Sequence, residues 1–252
     1  MVTGEPWERL GIDVTGPHPT SAKGNCYILT VIDHFTKWVE ILPCKPRKPV
    51  WSQNYWSTDL CVHGCPKQIL TDQRPNFDSQ LFQELCRLLA IDKILTTPYK
   101  PSTNGNIERF HSTMHPLIAK WVSEDQRDWD DKLPAVAFAY RTTVHEATGF
   151  TPYFLMHGRE TRLPADLVYG DADAVSQPDV FDYPNRLGDT LREAFITARQ
   201  NLERVARRRK AHYDLRARPA TFQPGSWYGV WSLSACLAGT ENGGHYTKGH
   251  FK

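Results

Sequence analysis

Gln68-Ile69-Leu70-Thr71-Asp72-Gln73 and Asn104-Gly105-Asn106-Ile107-Glu108-Arg109-Phe110-His111 decide the fold, with 35 residues between Asp72 and Glu108. In the first stretch the apolar pair Ile69-Leu70 runs into a carboxylate just before a turn, as at the C-terminal edge of a strand. In the second, Glu108 falls early in a helical pattern. Ile107, Phe110, Met114, Leu117, Ile118 and Trp121 form the apolar face, and Asn104, His111 and Ser112 share the opposite stripe with Glu108. Upstream, Leu10, Ile12 and Val14 alternate with Gly11 and Asp13, which puts Asp13 on the polar face of a strand. Three such carboxylates can hold two divalent metals for phosphodiester chemistry. Hard cations take oxygen ligands, and two of them about 3.5 to 4 Å apart activate an attacking oxygen and stabilise a leaving oxygen in one in-line displacement.

At these residues the chain resembles the integrase catalytic core of retroviruses and, more closely, of gypsy-class LTR retrotransposons. The matching pieces are Gly11-Ile12-Asp13, the run from Val31 to Trp38, Leu70-Thr71-Asp72-Gln73 and the run from Pro98 to Arg109. Tyr140-Arg141-Thr142-Thr143-Val144-His145 and Thr148-Gly149-Phe150-Thr151-Pro152-Tyr153 look like the helix and loop that follow the catalytic helix. The resemblance covers roughly residues 5 to 170. It implies a ribonuclease-H-like α/β core, a mixed central sheet flanked by helices, with a C-terminal helical extension. It also implies a polynucleotidyl transferase or endonuclease acting in DNA integration, with Asp13, Asp72 and Glu108 as catalytic residues and ligands of Mg²⁺ or Mn²⁺ in a two-metal site. The partners it implies are retroelement DNA ends and target DNA, with a homo-oligomeric enzyme acting in the nucleus. Tyr99, Lys100, Asn104, Arg109 and Lys120, on the catalytic helix or the loop before it, are the expected DNA contacts near the site.

Composition agrees with a folded protein. At 252 residues, 40% hydrophobic and 12% aromatic, the chain can bury one sizeable core plus an extension. It has no apolar run near 18 residues and no signal-peptide pattern, so an intracellular protein with no membrane partner is expected. Six scattered cysteines suit a reducing compartment. Pattern alone predicts strands near 7–15, 26–33 and 37–42, a strand ending at Thr71, a helix behind a Ser79 cap and a strand from Ile91 to Thr96. The Glu108 helix and a second helix from Asp131 to His145 follow. The expected organisation is a catalytic core over 1–165, a linker over 166–184, a basic amphipathic helix over 185–218 and a divergent tail over 219–252.

The net charge of +2 hides an asymmetry. Between Arg186 and Arg218 ten Lys or Arg face four Asp or Glu, a local +6, which leaves −4 for the rest. Arg207, Arg208, Arg209 and Lys210 are the densest run, either a nucleic-acid grip or a solvated helical face. Leu187, Leu191, Phe195, Ala198, Leu202 and Val205 form a stripe on the same helix, either a coiled-coil seam or a face packed on the core.

Several departures from the family point to a partial or degenerate copy. The upstream zinc-binding domain is not in the chain, and the Phe222-Gln-Pro-Gly225 entry to the C-terminal β-domain is not continued, as in a polyprotein fragment. Residues 44–60 stand where the first core helix belongs, yet Pro46 and Pro49 oppose a helix start. Arg74 replaces the glycine of an Asp-Gln-Gly turn, and Pro116 should kink the catalytic helix. A catalytically impaired or domesticated nucleic-acid or chromatin-binding module is the alternative these features raise. His111 with His115, and Cys61 with His63 and Cys65, lack the further ligands a zinc site needs.

Overall fold

The computed structural model describes residues 3–46, 62–72, 77, 79–95, 105–163, 182–216, 228–230 and 247–249. Residues 47–60 of the unusual patch at 44–60, Arg74, the loop bearing Tyr99, Lys100 and Asn104, and Phe222–Gly225 lie outside the described residues. Two compact units divide between Arg207 and Arg208.

In the first unit, β1 (Arg9–Thr15), β2 (Tyr27–Asp33), β3 (Val39–Cys44), β4 (Gln68–Thr71) and β5 (Asp92–Leu95) form a sheet of order β3-β2-β1-β4-β5. The first three strands are antiparallel, and β4 and β5 then run parallel to β1. Among the described residues the helices are α1 (Gln80–Leu88), α2 (Gly105–Trp121), α3 (Trp129–Arg141), α4 (Pro152–His157) and α5 (Tyr183–Arg216), the last of which runs past the boundary between the units. This mixed sheet, flanked by helices in this order, is the ribonuclease-H-like fold. In the second unit, β6 (Tyr228–Val230) pairs antiparallel with β7 (Thr247–Gly249).

Strand alternation sorts the core into two layers. Leu10, Ile12, Val14, Leu29 and Val31 point to the layer that holds Phe82 and Cys86 of α1. Ile28, Ile32, Val39 and Ile41 point to the opposite layer, closed by Ile107, Phe110 and Met114 of α2 and Trp129, Leu133 and Val136 of α3. Gly11, Asp13 and Thr15 share this second face, so Asp13 looks toward α2.

Local chemistry moves several boundaries. β3 begins at Val39, two residues later than periodicity predicts, because residues 33–38 form a tight turn. There the buried Asp33 accepts hydrogen bonds from the Thr36 amide and hydroxyl, and Lys37 takes a φ of 68°. Asp33 is therefore a turn former, and burial pushes its carboxyl above the usual range against the pull of these donors. α3 starts at Trp129 after an Asp128 N-cap and stops at Arg141, earlier than the predicted His145. Beyond it the Thr142 and Thr143 hydroxyls donate back to the Phe138 and Ala139 carbonyls. α2 continues through Pro116, which lies on its exposed side.

The edge strand β3 is held by one cation. Arg141 donates from Nε to the Val39 carbonyl at 2.8 Å, pairs with Glu40 at 2.5 Å and stacks its guanidinium 4.2 Å over Trp38. The α5 stripe packs back on the core: Ala194, Ala198 and Leu202 are buried with Phe35, Ala147 and Leu155. Asn201 adds a 2.8 Å bond to the Thr148 carbonyl. Gly158 ends α4 at a φ of 70°, and a Cβ there would meet Leu187 at 2.3 Å. No helix among the described residues is long and apolar enough to cross a membrane.

Two stability predictions follow from these contacts. Gly158→Val should destabilise the fold by about 2 to 4 kcal/mol, through a left-handed backbone and overpacking against α5. Urea unfolding checks it, and a change under about 0.5 kcal/mol would refute the packing described. His34 is buried beside Lys37 and Arg9 and pushed down to about 3, so it stays neutral in the folded protein while the unfolded chain protonates near 6.5. The unfolded state thus binds the extra proton between these values, and stability present above pH 6.5 falls as pH is lowered. Between pH 7 and 5 this histidine alone should remove about 2 kcal/mol, and His34→Asn should flatten the pH dependence of unfolding by that amount.

Candidate active site

Asp13 and Asp72 are brought together by the parallel pairing of β1 with β4. Its last pair is Ile12 with Thr71, so the next residue on each strand is a carboxylate at the same level of the sheet. Alternation turns Asp13 toward α2, and Asp72 is the first residue beyond the end of β4. Asp72 is half-buried, and Asp13 keeps one oxygen on the Val14 amide at 2.8 Å. The Asp13 side chain is 16% exposed, so a ligand can reach it from solvent.

α2 delivers the third carboxylate. Its first turns settle on β1 at Gly11, where a Cβ would stand 2.9 Å from His34 Nε2 and 3.0 Å from Ile107 Cδ1. The missing side chain lets the helix approach this closely. Glu108 follows Ile107 directly and is exposed. One turn on, His111 lies with Nδ1 3.8 Å from Asp13 Oδ2 and with Nε2 3.0 Å from the hydroxyl of Thr30. Thr30 is the cross-strand partner of Asp13, so the strand, its neighbour and the helix meet at one point. Lys37 is buried under the same helix end and donates to the His34 carbonyl at 2.6 Å, with Asn106 Oδ1 3.5 Å away.

Among the described residues, no three His, Cys, Asp or Glu side chains stand close enough together to hold a metal ion. The donor chemistry nevertheless suits a hard cation, since two carboxylates end adjacent strands and a third rises from the helix packed on one of them. His111 and Lys37 are the neighbours that sequence reasoning undervalued. His111 was legible as part of the polar stripe of α2, but its meeting with Asp13 depends on how the helix docks. The buried place of Lys37 carried no sequence signal beyond its adjacency to the Asp33 turn.

The expected nucleic-acid contacts divide. Tyr99, Lys100 and Asn104 lie outside the described residues, whereas Arg109 and Lys120 are exposed on α2. Arg207, Arg208, Arg209 and Lys210 are exposed on α5, with Arg207 3.1 Å from Glu203 one turn before it. The Cys61–Cys65 segment reads as structural where it is described. His63 packs against Trp7 in a tilted pair with ring centroids 4.5 Å apart and sits 3.9 Å from Glu40, and Cys65 is a free, exposed thiol.

Residues 5–101 match the integrase core domain family. The Pol polyprotein from transposon 412 of Drosophila melanogaster, described as retrovirus-related, is 28% identical over 87% of this chain. The gypsy retrotransposon integrase-like protein 1 of Bos taurus is 34% identical over 68% of it. The chain spans 18% of the first relative and 34% of the second. A chain of the simian T-cell lymphotropic virus intasome, solved in complex with the PP2A regulatory subunit B56 gamma, shares the fold with a TM-score of 0.55 at 22% identity. That similarity covers 71% of this chain and 63% of the other. The ordered motifs, the mixed sheet and these matches agree in what the chain is similar to: integrase core domains, over residues 5–101, and gypsy-type retrotransposon relatives over a longer stretch.

Proposed function

We propose that this chain is an integrase catalytic core that cleaves and joins retroelement DNA with Mg²⁺ or Mn²⁺ bound by Asp13, Asp72 and Glu108. The observation that supports the reading is the Ile12–Thr71 register, after which the next residue of each segment is a carboxylate, while α2 rests on the same strand at Gly11. When bound, two such cations activate the attacking oxygen and stabilise the leaving oxygen of an in-line phosphoryl displacement.

The protein's own groups do the rest. The Val14 amide fixes one Asp13 oxygen and leaves the other facing His111. His111 is a positioning residue: braced by Thr30, it limits the rotamers open to Asp13. Gly11 and Lys37 together set the height and the start of α2, and so where Glu108 stands.

DNA is held in this reading by Arg109 and Lys120 on α2, by Tyr99, Lys100 and Asn104 in the preceding loop, and by the Arg207–Lys210 run. The enzyme works as a homo-oligomer on DNA in the nucleus. The domain division is a catalytic core to about residue 165, a linker to 184, a basic helix to 218 and a tail beyond.

Two experiments test this. Asp72→Asn should lower Mn²⁺-dependent strand transfer between labelled oligonucleotides by about 100-fold or more, because a lost metal ligand removes several kcal/mol of charge stabilisation. Its far-UV circular dichroism should be unchanged, and undiminished strand transfer would exclude the carboxylate assignment. Replacing Arg207, Arg208 and Arg209 by Ala should weaken binding to unrelated duplexes alike and flatten the log affinity against log salt slope by about 2 to 3 units. A slope that does not move would make the run a solvated helical face.

A further inference from the structure

Two rows of neighbouring side chains lead from the region of Asp13 to a cleft at the far end of α2. Thr15 shares a face of β1 with Asp13, and its hydroxyl lies 3.2 Å from His18 Nε2. On the helix, His111 beside Asp13 is followed one turn later by His115, with ring centroids 5.9 Å apart. The His115 and His18 rings then stand 5.6 Å apart, and His18 and Trp129 5.7 Å apart. The two routes converge on a cleft of about 360 Å³ lined by His18, His115, Ile118, Val122, Glu124 and Trp129 among others. That volume is within the range of small-molecule sites.

The lining selects a ligand type. Ile118, Val122 and Trp129 offer apolar surface, and the two imidazoles offer flat faces for stacking. Burial holds His18 and His115 below the usual histidine range, and the neighbouring His115 adds to this for His18, which disfavours the charged form of these rings. Glu124 repels a phosphate and accepts from an exocyclic amine. A planar group with apolar faces and a polar edge fits these surfaces, its edge meeting Glu124 and the Ser123 hydroxyl and Gln126 amide that also line the cleft.

Position supplies the source. His115 is seven residues beyond Glu108, a rise of about 10 Å along the helix, or about three steps at 3.4 Å per nucleotide of a duplex strand. We propose that this cleft is a nucleobase subsite, taking one unpaired base of the DNA strand engaged at the carboxylates, about three nucleotides from the reacting phosphodiester. The inference rests on the integrase reading and adds to it a contact to a base, where the basic residues meet only the backbone.

The test uses the full chain and two single-stranded probes of equal length and charge, an oligodeoxyadenylate and an abasic oligonucleotide, beside a duplex. The oligodeoxyadenylate should bind about tenfold tighter than the abasic strand. His18→Ala/His115→Ala should abolish that preference, since loss of a stacking partner costs about this factor. Ala119→Phe, which fills the cleft from its lining and keeps both histidines, should abolish it too. Duplex binding and its salt slope should be unchanged in both variants. Equal affinity for the two strands, or a preference that survives both variants, overturns the subsite while duplex binding still upholds the integrase reading. Failure to bind any of the three nucleic acids overturns both.

Discussion

The parallel hydrogen bonding of β4 to β1 is the constraint on which the rest of the site depends. It makes β1 the middle strand of the sheet, bonded on both edges, and fixes which residues of the two strands stand level. Because side chains alternate strictly, a slip of one residue would turn Asp13 into the layer filled by Phe82 and Cys86. The apolar residues Leu10, Ile12 and Val14 prevent that slip, since it would expose them to the opposite face. Core burial and placement of the carboxylates are thus the same event.

The helix that carries Glu108 is positioned by contacts of two kinds. Its apolar face, Ile107, Phe110 and Met114, is buried against β2 and α3 and sets its tilt. Its start is set by a close approach at Gly11 and by Lys37, whose amine is drawn inward by the turn that Asp33 organises. A buried amine satisfied by a backbone carbonyl and a side-chain amide is expensive to misplace. Polar groups that face away from the three carboxylates therefore hold the geometry of the elements that carry them.

α5 illustrates how one helix serves two purposes. Small residues, Ala194 and Ala198, let its backbone come close to Phe35 and Leu155, and Asn201 locks the register on the Thr148 carbonyl. Further along, the apolar stripe gives way to Arg207, Arg208, Arg209 and Lys210, which are exposed. The change from apolar stripe to basic run puts the packing residues and the densest positive charge on different turns of one helix.

The sequence by itself determined the α/β order, the two apolar faces of the central strands, the helical stripe around Glu108 and the three carboxylates with their surrounding motifs. These are short-range signals: periodicity and neighbouring residues encode them, and burial follows. Fine boundaries were less legible, because the hydroxyl bonds of Thr142 and Thr143 and the left-handed Lys37 compete locally with helix and strand. Only the tertiary structure decided that the α5 stripe packs on the core, that His111 stands beside Asp13 and that His18 meets His115 over a cleft. His18 and His115 are 97 residues apart in the chain, and nothing in the pattern around either announces the other. Their meeting depends on the β1–β2 connection folding over the end of α2, a long-range event that no local spacing records.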